Sequence, residues 1–368
     1  MDKADSPPAA ATPPFEARNQ DEIVAMLRAE GVTFRFIECV SEGDYAPEDA
    51  AWNYMDIPHL TYVHKQVDGC LTLAGDAFAA SVFFQKVPFF RLPLSVLIYQ
   101  TAPNAVTYYT SYWLFLLVIQ TTWEAIGEVR TRVTTRYAVG WTNWLVGLGY
   151  PLIKWLIKRN YSILMREDLP MRSQRGRLRK LGYDFKMKGQ VPSFIDSRKI
   201  MQQNVFTPEH NVVAPAAVPC WPVRTVAYDE LRAGEPVFLG ADDHMGLSIL
   251  KAGEAVHVYP RLCSHEGAGL DEAVKRCGGG AATKPGACTI QCPWHGRKFR
   301  PLLTIPLPAV AATYETDWHV YKATESGLTI GCKRAAGEQF RHEDWCHPAR
   351  PVAAAGMGGA GAANTGAR

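Results

Sequence analysis

The sequence predicts an α+β protein of two domains: helices and an antiparallel sheet come first, and a small all-β domain follows. The chain has 368 residues, room for two domains of roughly 100–200 residues each. Residues 78–119 are rich in Val, Phe, Tyr, Thr and Ile with Pro and Asn interruptions, which favours antiparallel strands. Beyond a proline-rich segment, Pro208–Pro222, short strand-like segments alternate with Gly and Asp turns, which favours a small all-β domain.

Periodicity and turn residues predict the individual elements. In the first domain we expect the helix Asp21–Glu30, the strand Val32–Ile37, the helix Pro47–Lys65, strands within Phe78–Ile119, the helix Trp141–Arg166 and a solvated helix Met171–Gly182 capped by Gly182. In the second we expect the strands Thr225–Tyr228, Pro236–Leu239, Leu247–Leu250, Ala255–Tyr259 and Gly327–Lys333. The predicted division is a disordered tail (1–20), a first domain (21–207), a linker (208–222), a second domain (223–335) and a mostly disordered tail (336–368).

Charge and cysteine content narrow the function classes. The 39 basic and 36 acidic residues give a net charge of +3, which argues against a nucleic-acid-binding role. The nine cysteines are irregularly spaced and odd in number, which favours a reduced compartment, the cytoplasm, with some metal-binding cysteines. The N-terminus lacks the apolar region of a secretory signal.

Two apolar stretches could contact a membrane or form core. Tyr112–Ile119 is too short to span a bilayer, and Trp141–Ile157 is interrupted by Asn, Gly, Pro and Lys. We interpret both as core and leave a peripheral membrane contact open.

The second domain contains two short metal-binding hooks. Cys263 and His265 form a C-x-H hook, and Cys292 and His295 form a C-x-x-H hook within CPWHGRKF. Each hook offers one thiolate and one imidazole, so two hooks could hold the two irons of a cluster with mixed ligands. A zinc site with the same four ligands is the alternative, although zinc fingers pair C-x₂₋₄-C with H-x₃₋₅-H.

Residues 220–335 resemble a Rieske domain, and the CPWHGRKF flank is similar to oxygenase-type Rieske domains. The resemblance implies a [2Fe–2S] cluster held by Cys263, His265, Cys292 and His295. The disulfide of the cytochrome bc type is absent, because Ala268 and Trp294 stand at the corresponding positions. The 26 residues between the hooks include Cys277 and Cys288, which could pair but which we expect to be free thiols.

The first domain carries an N-x-x-D-x-x-H-x₄-H motif formed by Asn53, Asp56, His59 and His64. The histidines are five residues apart, about 140° around a helix, so both reach one metal only if the helix ends or distorts there. Two ordinary histidines on a partly buried helix are the structural alternative.

Beside a Rieske motif, this motif resembles the iron site of the Rieske non-haem iron oxygenases. The resemblance implies a helix-grip (START-like) catalytic domain in which His59 and His64 bind a mononuclear Fe(II). Asp56 would link cluster and iron between subunits, and Asn53 would lie near the iron. We expect Asp168 to complete the two-histidine, one-carboxylate set; the weaker candidates are Glu167, Asp184 and Asp196. The order of the two domains is the reverse of the usual order in the family.

The resemblance implies an O₂-dependent mono- or dioxygenase supplied with electrons by a ferredoxin or an NAD(P)H-dependent reductase. Its substrate would be apolar, aromatic or polycyclic, and the stretch Val82–Trp123 could line the pocket. A homo-oligomer, a trimer in the family, is also implied. The sequence has no strand followed by G-x-G-x-x-G, so we expect no dinucleotide site. A non-catalytic Rieske electron carrier and a zinc-binding interaction module are the alternatives.

Overall fold

The computed structural model describes residues 18–352, except for 58, 75–77, 88–89, 113, 198–200, 214–221, 241–245, 264–265, 272, 278–287, 297, 317–318 and 333–348. The chain divides into two compact units: unit 1 comprises Met1–Gly176 and Lys188–Pro208, and unit 2 comprises Arg177–Met187 and Glu209–Arg368. Across the described ranges, no helix combines the length and the apolar character that crossing a bilayer requires.

The first half of the chain contains a sheet and five helices within its described residues. In chain order these elements are α1 (Gln20–Ala29), β1 (Thr33–Gly43), α2 (Pro47–Met55), α3 (His59–Val63), β2 (Val67–Ala74), β3 (Phe78–Val87), β4 (Phe90–Ala102), β5 (Ala105–Tyr112), β6 (Phe115–Gly127), β7 (Arg130–Trp141), α4 (Trp144–Leu148) and α5 (Tyr150–Lys180). The pair β8 (Asp184–Ser197) and β9 (Met201–Val213) follows.

The seven strands β1 to β7 form one antiparallel sheet in the order β1-β7-β6-β5-β4-β3-β2. Alternate residues of a strand point to opposite faces, so β6 contributes to two cores. On one face Val118 packs with Ile23 and Val24 of α1. On the other, Leu117 packs with Tyr150 of α5, and Trp123 packs with residues of α2. Helices α2 and α5 therefore cover the same face.

The sheet order explains why α2 and α3 lie over the sheet. Strands β1 and β2 form opposite edges, and the chain between them must cross the full width of the sheet. Along that crossing, Ala50 and Ile57 pack against Ile98, Val106 and Val133. Burying these apolar groups fixes the crossing segment on the face that α5 also covers.

The predicted single helix over Pro47–Lys65 is wrong, because the structure has two helices there. Helix α2 ends at Met55 and α3 begins at His59, with Asp56 leaving helical geometry at ψ 71. A proline stands at 58, where it lacks a donor N–H and restricts the residue before it. The break changes the direction in which the residues after it point.

The predicted break between Arg166 and Met171 is also wrong, because α5 continues through Pro170. An internal proline costs a helix about 3 kcal/mol, so tertiary contacts must offset that cost. The prediction that the segment after Pro170 is solvated is wrong, because four of its residues are buried: Met171, Arg172, Arg175 and Leu178. The predicted cap at Gly182 is confirmed by its left-handed φ of 86°.

Unit 2 is built mainly from short strands. After the last residues of β9, they are β10 (Arg224–Ala227), β11 (Pro236–Leu239), β12 (Leu247–Ala252), β13 (Ala255–Pro260), β14 (Val274–Cys277), β15 (Cys288–Gln291), β16 (Lys298–Phe299), β17 (Leu303–Pro306), β18 (Ala312–Glu315), β19 (His319–Ala323), β20 (Gly327–Cys332) and β21 (Arg350–Pro351). They form sheets of five, four and three strands. All five strands predicted here are present, and the predicted α+β class with a later all-β domain is confirmed.

Gly176 offers a test of how tightly α5 packs on the loop after β1. A Cβ at this position would lie 1.9 Å from the carbonyl oxygen of Asp44. Helix propensity alone predicts that Gly176→Ala stabilises the protein by about 0.5–1 kcal/mol. We expect the steric overlap to dominate and to destabilise it by roughly 1–3 kcal/mol, measured by urea denaturation. Gly149→Ala, whose Cβ would have its nearest neighbour at 3.4 Å, is the control and should change little.

Candidate metal centres

Three buried ligand-type side chains converge in unit 1: His59, His64 and Asp168. His59 opens α3, His64 directly follows its last residue, and Asp168 comes from α5. Their ligand atoms lie within 4.8 Å of one another. The Nε2 atoms of His59 and His64 are 3.5 and 3.2 Å from Asp168 Oδ1. The short helix ends before His64, and this allows both rings to reach one point.

The hydrogen bonds of the two rings define which nitrogen is available. His59 Nδ1 bonds to the backbone carbonyl of Asp56, and His64 Nδ1 lies 2.8 Å from Glu167 Oε2. A carbonyl or carboxylate oxygen only accepts, so each Nδ1 carries the proton. In the neutral rings both Nε2 atoms then present lone pairs to the space beside Asp168. Oriented imidazoles of this kind are typical of metal sites.

Unsatisfied atoms at the centre of this group fit a cation. His59 Nε2 and Asp168 Oδ1 are buried and make no hydrogen bond to any described residue. Burying polar atoms without partners is costly, whereas a bound metal ion would satisfy both. Two imidazole nitrogens and one carboxylate oxygen are the donor set of non-haem Fe(II) sites.

The charges in this group are strongly coupled. Burial lowers the pKa of His59, but the nearby carboxylates of Asp168 and Asp56 outweigh it and raise the pKa to about 9. Burial likewise raises the pKa of Asp168, but both histidines outweigh it and hold that pKa well below its usual range. A metal binds only the neutral imidazole, so protons and metal compete for this site.

A buried arginine, Arg172, completes the surroundings and was not predicted. It lies one helical turn after Asp168, with Nη2 3.9 Å from Asp168 Oδ2. Its Nε and Nη2 donate to Asn53 Oδ1 at 2.8 and 2.6 Å. Of the two other residues predicted near the iron, Asn53 is thus held by Arg172. The second, Asp56, places its Oδ2 3.5 Å from His59 Nδ1. The sequence signal that could have identified Arg172 is its position four residues after Asp168, which brings the two charges together on a helix.

The structure separates the four candidates for the carboxylate ligand. Asp168 lies with the histidines, whereas Glu167 accepts a hydrogen bond from Nδ1 of His64, the nitrogen that faces away from Asp168. Asp184 is exposed and 3.4 Å from Arg179. The side chain of Asp196 lies outside the described residues.

In unit 2, the two hooks are closed by the same kind of backbone hydrogen bond. The N–H of Gly267 donates to the carbonyl of Cys263, and the N–H of Gly296 donates to that of Cys292, both at 3.0 Å. Both glycines have left-handed φ values, 86° and 66°, which other residues rarely adopt. The first hook follows β13, and the second joins β15 to β16. In each hook a glycine with left-handed φ therefore closes a hydrogen bond back to the cysteine four residues before it.

The sulfur atoms of the hooks fit cluster ligation. Cys263 and Cys292 are buried and form no disulfide, and their side chains are in hydrogen-bonding contact. Burial raises the pKa of Cys292, but Cys263 and the backbone groups of Trp294 and His295 outweigh it and lower the pKa. Thiolate is the form that binds iron. His295 Nε2 lies 3.3 Å from Glu266 Oε2, and His265 lies outside the described residues.

The expectation of free thiols between the hooks is wrong for Cys288, which is disulfide-bonded. The residue opposite it in the β14–β15 ladder is Cys277. Cross-strand neighbours lie within about 4.5–5.5 Å at Cβ, a spacing set by strand pairing and not by distance along the chain. The side chain of Cys277 lies outside the described residues.

Comparisons with known proteins agree with this geometry in unit 2. The family model described as "Rieske [2Fe-2S] domain" matches residues 222–314. No curated protein sequence matches the chain. Among solved structures, a START superfamily protein from Mycobacterium smegmatis is similar at 14% identity and a TM-score of 0.32, covering 40% of this chain and 98% of that one.

Two further solved structures show likenesses of the same extent. Norcoclaurine synthase from Thalictrum flavum has 10% identity and a TM-score of 0.33, covering 44% of this chain and 96% of that one. Dicamba monooxygenase has 13% identity and a TM-score of 0.32, covering 40% of this chain and 51% of that one. The family match and the paired hooks together show that this chain contains a Rieske [2Fe–2S] domain.

Proposed function

We propose that this chain is a Rieske-type non-haem iron oxygenase. The observation that carries the proposal is the buried group His59, His64 and Asp168, whose ligand atoms converge in a chain that also has a Rieske domain. His59, His64 and Asp168 would hold one Fe(II), and Cys263, His265, Cys292 and His295 would hold the cluster. When bound, the cluster supplies electrons and the ferrous ion supplies O₂ activation.

The residues around the proposed iron site orient the ligands and balance their charge. The backbone of Asp56 and the carboxylate of Glu167 hold the two rings in the tautomer that exposes Nε2. Arg172 places a permanent positive charge 3.9 Å from Asp168 and helps to balance the charge of this carboxylate. Asp56 would be the acidic residue on the electron path between subunits.

An apolar cluster beside the site supports an apolar, aromatic or polycyclic substrate. Ile57, Leu60 and Leu169, neighbours in sequence of the proposed ligands, belong to one core cluster. From the stretch Val82–Trp123, the residues Phe83, Val96, Val106, Tyr108 and Trp123 join this cluster. The Tyr54 ring packs at 6.1 Å on Trp123 and at 6.0 Å on Tyr108. Apolar walls would exclude water and favour an apolar ring over a charged ligand.

A ferredoxin or an NAD(P)H-dependent reductase would supply the electrons, and the substrate would be hydroxylated or oxidatively demethylated. The residues 21–207 would form the catalytic domain and 223–335 the Rieske domain, in a cytoplasmic homo-oligomer. The second candidate is a non-catalytic Rieske electron-transfer protein, which the Rieske domain alone would also suit.

Metal content separates the two candidates. Protein purified without oxygen and reconstituted with ferrous iron should hold about three irons and two acid-labile sulfides per chain. His59→Ala and Asp168→Ala should each remove about one iron and leave the sulfide and the cluster absorbance unchanged. The exposed Asp184→Asn is the matched control and should retain all the metal. About two irons in the unaltered protein, with no further loss in either variant, would identify an electron carrier.

Glu167 offers a separate test of how the iron ligands are oriented. A ligating histidine binds the metal through one ring nitrogen and donates a hydrogen bond through the other. Loss of that hydrogen bond typically weakens metal binding about 10–100-fold. We expect Glu167→Ala to weaken Fe(II) retention in this range against a competing chelator, and Glu167→Gln, which still offers an oxygen, to weaken it less. Glu48→Gln, an exposed change on α2, should have no effect. Equal retention by all four proteins would exclude this role for Glu167.

A further inference from the structure

A group of large apolar side chains lies exposed on α4 and the first turns of α5. We name it the Trp–Leu patch; its members are Trp144, Leu145, Leu148, Leu152, Trp155 and Leu156. Trp144 is 70% exposed, Leu148 69% and Trp155 57%. Exposed leucines occur singly on most proteins, but contiguous apolar groups of this kind mark an interaction site.

Core packing does not explain the patch. On the inner side of α5, Ile153 and Ile157 pack against the cluster that contains Trp141 and Tyr150. Leu152, Trp155 and Leu156 point away from this cluster on the outer side of the helix, and they are exposed. The first turns of α5 are thus apolar on two sides, and only the inner side packs on the sheet. A helix apolar on both sides requires an apolar environment for its outer side as well.

The charged side chains on the segment that carries the patch are all basic. Lys154, Lys158 and Arg159 are exposed beside it. Between Glu128 and Glu167 the sequence contains no Asp or Glu. The guanidinium of Arg159 lies 5.8 Å from the centre of the Trp155 ring, so a cation borders the apolar surface directly. The surface therefore combines exposed tryptophans and leucines with three exposed cations.

We propose that the Trp–Leu patch inserts into the interfacial region of a membrane that carries anionic phospholipids. Tryptophan is enriched at the level of the lipid headgroups, where its apolar ring and polar N–H are both accommodated. Leucines bury in the acyl boundary, and lysine and arginine bind the anionic headgroups. This binding site is independent of the oxygenase chemistry.

A second copy of the chain fits this surface less well. In a two-fold symmetric interface a patch meets itself, so Lys154, Lys158 and Arg159 of each copy would approach the same cations of the other. Like charges brought together at an apolar interface oppose association. An anionic lipid surface supplies the opposite charge instead.

Vesicle flotation with the full-length protein tests the proposal. The protein should float with phosphatidylcholine vesicles that contain about 30% phosphatidylserine, and should bind pure phosphatidylcholine at least about tenfold more weakly. Trp144→Ser with Trp155→Ser should lower binding at least about tenfold by removing the inserted rings. The double variant Lys154→Gln with Lys158→Gln should lower binding only to the vesicles that contain phosphatidylserine. Added salt should cause the same loss in the unaltered protein.

Exposed apolar residues outside the patch provide the matched control. Leu114→Ser and Val310→Ser, at positions 60% and 80% exposed, should bind vesicles like the unaltered protein. Circular dichroism and the cluster absorbance would show that each variant is folded. Absence of flotation, or equal loss in the control variants, would overturn the proposal. A sedimentation experiment could also overturn the proposal. If the unaltered protein is an oligomer that does not bind lipid, and the double tryptophan variant is a monomer, then the patch joins copies of the chain.

Discussion

The buried arginines of α5 are the constraint on which the site in unit 1 depends. Arg175 Nε lies 2.9 Å from Asp49 Oδ1, and Arg172 holds Asn53, so α5 is fixed against α2 in one register. Both arginines are almost fully buried. A buried charge without its partner costs several kcal/mol, so a sliding of α5 along α2 is strongly opposed. This register brings Asp168, one turn before Arg172, to the two histidines.

The aromatic residues around these arginines strengthen the same contact. The guanidinium of Arg175 lies 4.0 Å from the centre of the Trp52 ring, and that of Arg172 lies 4.5 Å from the centre of the Tyr54 ring. Trp52, Asn53 and Tyr54 are consecutive on α2, so one helical turn supplies both the hydrogen bond and the ring contacts. Cation–π contacts gain strength where water is excluded. The site is thus supported by polar packing within an otherwise apolar core.

The two candidate metal centres orient their ligands by the same local means. In unit 1, His59 and His64 lie at the two ends of a five-residue helix, where the chain changes direction. In unit 2, each hook is a turn that a glycine with left-handed φ closes. Ligands close together in sequence can reach one centre only when the backbone turns between them. Breaks in regular structure are therefore where this chain places the cysteines and histidines that we propose as ligands.

The sequence by itself determined the Rieske hooks, the strand before the first hook and the pair of histidines, because these signals lie within short segments whose chemistry is local. It also predicted Asp168 as the third ligand, but through resemblance to a family and not through any local pattern. The tertiary structure decided the rest. His64 and Glu167 are 103 residues apart, Arg172 reaches back to Asn53, and Cys277 lies opposite Cys288 only through strand pairing. It also overrode local propensity at Pro170, where α5 continues and buries the segment that periodicity assigned to solvent. Such contacts depend on how distant segments pack, and local sequence patterns carry no information on that packing.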